Sequence, residues 1–64
     1  MNERAALPRQ AWVDVFVAYV VGQVPGASAS LLASAADVLY TRFGEYDPEQ
    51  VAEAEWESLP LNKG

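Results

Sequence analysis

Cysteine and histidine are both absent from this 64-residue sequence. Without cysteine there is no disulfide framework and no thiolate metal site, and without histidine the commonest metal ligand and general base is missing. Bases are scarce as well. Arg4, Arg9, Arg42 and Lys63 are the whole set, too few and too scattered to neutralise a run of phosphates, which argues against direct nucleic-acid binding and against an anionic membrane surface. No apolar run is long enough to span a bilayer. The stretch AWVDVFVAYVVGQV, Ala11 to Val24, has only Asp14 and Gln23 as polar side chains, yet it falls short of the roughly 20 residues a membrane helix needs. The opening residues MNERAALPRQ carry Glu3 and Pro8 and no apolar leader core. A soluble protein of the cytoplasm is the expectation.

What is present is an unusual amount of apolar side chain for so short a chain, 52% of residues. A single domain of this size buries only about 60% of the surface its unfolded chain exposes. Small domains make up the deficit with disulfides, a metal or association. With no cysteine or histidine to supply the first two, association with another chain is the expected supplement.

Punctuation divides the sequence into three helical segments. In EYDPEQVAEAEWESLP, Asp47 is a cap, Pro48 suits the first helical position, and Gln50 stands where it can reach back to the cap's N–H. Tyr46 and Val51 are placed to form a hydrophobic staple across that start. A helix from about Pro48 to Ser58 follows, stopped by Pro60. Upstream, SASLLASAADVLYTRFGEY predicts a helix from about Ala29 to Phe43, capped by Ser28 or Ser30, with Gly44 in the left-handed position that ends many helices. GQVPGAS between this helix and the first apolar segment reads as a tight turn, hence an antiparallel pair. The first segment is ambiguous, because Val13, Val15 and Val17 alternate as a strand would. A lone strand has no partner here, so Pro8 to Val21 is assigned as a helix, with Leu7 a poor cap. Residues 1–7 and 60–64 are expected to be flexible ends.

At about 100° per residue the first helix is apolar almost all the way round. Trp12, Val15, Phe16 and Tyr19 form one side, and Val13, Val17, Val20 and Val21 much of the other. Two companions, one of them short, are expected to cover one side and part of another. Leaving four valines in water would forgo about 1.5 kcal/mol each, a sum comparable with the whole stability of a small domain. The valine side is therefore the expected oligomer interface, although the assignment of inward and outward sides is open to reversal. The second helix is broad too, with apolar residues from Leu31 to Phe43 spanning roughly 200°.

Charge supplies two further clues. Residues 45–57 hold six carboxylates and no base, which accounts for more than the whole net charge of −5. Within them Glu49, Glu53 and Glu57 recur every four residues, a spacing that stacks like charges along one helix face at a cost of about 0.2–0.5 kcal/mol per step. This row reads either as a docking face for a basic protein or, more plainly, as a solvated face that keeps an apolar chain in solution; a divalent-cation site is the weaker account, for want of loop oxygens. Arg42 and Glu55 each fall inside apolar arcs, and an ion pair between them would satisfy both and fix how the third helix docks. Trp56, with Ala52 and Leu59 at helical spacing, reads as a core anchor.

Signals for catalysis are missing. Ser28, Ser30, Ser34 and Ser58 have no histidine to activate them, and GQVPG lacks the lysine and the preceding strand of a phosphate-binding loop. The sequence therefore predicts an all-α, three-helix unit: a helical hairpin with a short third helix folded across it, completed by homo-oligomeric packing as a dimer or tetramer. The expected function is non-catalytic, with no cofactor: an interaction or structural subunit that self-associates through its first helix. The competing expectation is a small acidic inhibitor or regulator that docks on a basic surface of a larger protein, nucleic-acid-binding proteins included.

Overall fold

The computed structural model describes residues 7–61. Three α-helices run in order, α1 (Arg9–Gln23), α2 (Ala29–Phe43) and α3 (Pro48–Ala54), followed by a single 3₁₀ turn at Trp56–Ser58. Among the described residues there is no strand, so the all-α assignment holds. The flexible ends expected at 1–7 and 60–64 lie outside the described residues except for Leu7, Pro60 and Leu61. Of these, Leu7 and Leu61 pack against the core.

Local chemistry accounts for the boundaries unevenly. Helix α2 starts where Ser28 accepts a hydrogen bond from the Leu31 N–H at 3.3 Å, and α3 starts where Asp47 accepts from the Glu49 N–H at 2.9 Å. Helix α1 has no such device: Pro8 occupies its cap position with no side-chain bond, and no acid lies in its first turn. A helix of fifteen residues rich in β-branched side chains and poorly capped is marginal alone, so packing must hold it in place.

That packing explains α1. It is in contact with both α2 and α3, which meet each other far less. Trp12, Phe16 and Val20 form its inner seam and are fully buried together with Leu32 and Ala36 of α2 and Ala52 of α3. On one flank, Val13 shares a cleft with Ala33 and Ser34 of α2. On the other, Tyr19 faces Glu53 and Trp56. Arg9 at the start of α1 pairs with Asp37 in the middle of α2, a contact consistent with an antiparallel pair.

Three expectations are corrected here. The third helix docks on α1 and does not fold across the hairpin, so α1 is covered from two sides. Helix α3 stops at Ala54, four residues short of Ser58, because the chain tightens into the 3₁₀ turn after Glu55. Gly44 is right-handed, at φ −62° and ψ −16°, and the need for glycine there is steric. A Cβ would stand 2.7 Å from the Tyr40 carbonyl oxygen and 2.9 Å from its ring.

Gly22 in the last turn of α1 and Gly44 at the end of α2 should respond oppositely to alanine. Gly22→Ala, where a Cβ meets nothing within 4 Å, is expected to raise stability by about 0.5–1 kcal/mol through helix propensity and a stiffer unfolded chain. Gly44→Ala is expected to lower it despite a permissive φ. Urea unfolding of both variants checks the pair, and shifts of the same sign would contradict this packing.

Candidate interaction surface and its electrostatics

The residues expected to form an interface on α1 differ in exposure. Val20 is wholly buried within one chain, and Val13, Val17 and Val21 are half-buried against the same core. The reason is geometric: α2 lies along the valine flank that was expected to face outward, while α3 takes the Tyr19 flank. The large apolar side chains left in water are elsewhere: Leu31 at 54% and Val38 at 62% exposure on α2, Tyr46 at 58% in the turn after it, and Val15 at 37% on α1. Leu31, Ala35 and Val38 recur at helical spacing and so share one stripe of α2.

The Arg42–Glu55 ion pair does not form. Arg42 is exposed near the end of α2 and Glu55 is half-buried beyond the end of α3, and among the described residues the ion pair is Arg9–Asp37. Both members of that pair are about half exposed, at 52% and 53%, so it contributes at most about 1 kcal/mol. Its larger effect is positional. It holds the guanidinium 5.1 Å from the centre of the Tyr40 ring, whose hydroxyl donates to the Leu7 carbonyl at 3.1 Å.

Glu49, Glu53 and Glu57 are all exposed. Only the first two share a regular helix, since Glu57 lies in the 3₁₀ turn and leaves the four-residue register. Glu53 is also engaged, accepting a hydrogen bond from the Tyr19 hydroxyl. Among the described residues no three acidic side chains converge as metal ligands would, and no helix is long and apolar enough to cross a membrane. Trp56 is half-buried and packs on the core from the 3₁₀ turn, with Ala52 and Leu59 buried beside it. Among the described residues, shallow clefts indent the surface, and one between the end of α2 and α3 has a largely apolar lining.

No family model matches the chain, and no curated protein or solved structure does either.

The Tyr19–Glu53 contact is directly measurable. The Tyr19 phenol is raised above its ordinary 10.0, chiefly by its hydrogen bond to Glu53, then by desolvation and by the charges of Glu53 and Glu49. A raised acid keeps its proton longer in the folded state. The contribution of this bond is therefore present below pH 10 and lost as pH climbs through the raised value. Glu53→Gln is expected to bring the phenol back toward 10, read from the ring resonances of Tyr19 during alkaline titration; an unchanged midpoint would show that the bond is absent in solution.

Proposed function

We propose that this chain is a non-catalytic interaction subunit that self-associates, with the contact made by α2 and not by α1. One observation carries the reading: Leu31 and Val38, two turns apart on one face of α2, are each more than half exposed. The residues between them favour a second copy as the occupant. Ser34 and Ala35 are small enough for two helix backbones to approach closely. The stripe is also self-complementary: a two-fold axis between Ser34 and Ala35 sets Leu31 of one copy against Val38 of the other. Charge points the same way, because two copies of a chain at net −5 repel. Helix α2 is where they can meet at least cost, its acid Asp37 being already paired with Arg9 and its remaining charge being Arg42.

A second reading, a small acidic regulator docked on a basic protein through Glu49, Glu53 and Glu57, is favoured by the exposure of all three carboxylates. Salt separates the two readings. A contact between apolar helices tolerates it, whereas a charge-driven heterocomplex weakens as ionic strength rises.

Light scattering coupled to size-exclusion chromatography, run from micromolar to millimolar chain, checks the self-association. The mass is expected to rise from 7.0 kDa toward twice that value or more, with little change on adding salt. Val38→Glu should hold it at a single chain without loss of helix, since Val38 contributes little to the core. A single 7.0 kDa species throughout the series would refute the proposal.

A further inference from the structure

Between the end of α2 and the outer side of α3 lies an open cleft of about 210 Å³, lined by Phe43, Tyr46, Gln50, Val51, Ala54 and Glu55. Val51 is buried and forms the floor with half-buried Phe43. Tyr46 is the exposed wall, its ring 6.2 Å from that of Phe43 and tilted by 49°. This wall is anchored from behind, because the Tyr46 carbonyl accepts the Trp12 indole N–H at 2.9 Å. Sites for whole small molecules run to about 300–1,000 Å³. This one has room for a single bulky side chain.

The charged residue of the lining is an acid. Glu55 lines it, and exposed Glu45 and Asp47 stand on either side of Tyr46 in the chain. No base occurs anywhere in residues 45–57, and Arg42, next to Phe43 in sequence, is not part of the lining. An apolar floor beside carboxylates repels an acidic segment and wastes its floor on a purely polar one. We propose that the cleft docks a segment of a partner protein that presents one large apolar side chain flanked by lysine or arginine, the apolar group on Phe43 and Val51 and the bases against Glu45, Asp47 and Glu55. The site is independent of the α2 stripe, since neither Leu31 nor Val38 lines it.

The test uses the full chain, isotope-labelled and kept below the concentration at which it self-associates, with three short synthetic peptides. One carries a central leucine flanked by lysines, one the same leucine flanked by glutamates, and one the lysines around a serine. The lysine–leucine peptide is expected to give saturable amide shifts centred on Phe43 to Glu55, with affinity falling at least threefold between ~50 and ~200 mM salt. The other two should bind about tenfold more weakly or not at all, a difference of about 1.4 kcal/mol. Ala54→Trp, which fills the cleft from an exposed position, and Glu55→Lys, which reverses its charge, should each cost at least fivefold in affinity while leaving the helical circular dichroism unchanged. The proposal is overturned if the lysine–leucine peptide gives no saturable shift there, if either control peptide binds as well, or if both variants keep full affinity.

Discussion

The indole of Trp12 is the contact on which the arrangement of all three helices depends. It sits in α1, stacks on Phe16 at 5.6 Å, meets Tyr40 of α2 edge-to-face at 5.6 Å, and donates its N–H to the Tyr46 carbonyl in the turn that leads into α3. A buried indole N–H without a partner costs about 1–3 kcal/mol. The carbonyl that satisfies it therefore has to be delivered to one place, and the turn after α2 is fixed by that requirement. Arg9 extends the same set of contacts outward, resting on the far partner Tyr40 and pairing with Asp37.

Once the Tyr46 carbonyl is tied to α1, the short α3 begins one residue after Asp47 and can only run along the Tyr19 flank. The hairpin turn has already placed α2 on the valine flank. Helix α1 is thereby covered from two directions by companions of fifteen and seven residues. The consequence for function is a transfer of exposed apolar surface. Shielding most of α1 leaves the far side of α2, with Leu31 and Val38, and the junction beside Tyr46 as the places where large apolar side chains are more than half exposed.

Much of this was legible in the residues, and the failures have physical causes. The span of α2 follows from the Ser28 cap and the Ala- and Leu-rich run, and the start of α3 from Asp47 and Pro48, because capping is local chemistry. The inward set Trp12 and Phe16 was readable as an aromatic stripe. The fate of Val20 was not, since its position on the helix borders both the aromatic and the valine sides and only the placement of α2 decides between them. The Arg42–Glu55 pair failed for a related reason. Periodicity places each residue on an arc of its own helix but carries no information on how those arcs are rotated toward each other. The early end of α3 depends on where Trp56 and Leu59 must go to reach the core, a tertiary demand that the helix-favouring composition of AEAEWES conceals. The cleft had a local signal in the Tyr46–Val51 staple pair. Its walls, however, come from two elements whose separation no sequence pattern sets.

Hydrogen exchange of the Trp12 indole N–H tests this account most directly. If the indole is the shared tie of the three helices, its proton exchanges as slowly as the backbone amides of Phe16 and Val20, because releasing it requires the turn and α3 to detach from α1. An indole proton that exchanges at the rate of an open tryptophan, while those amides stay protected, would contradict the tie and with it the placement of α3.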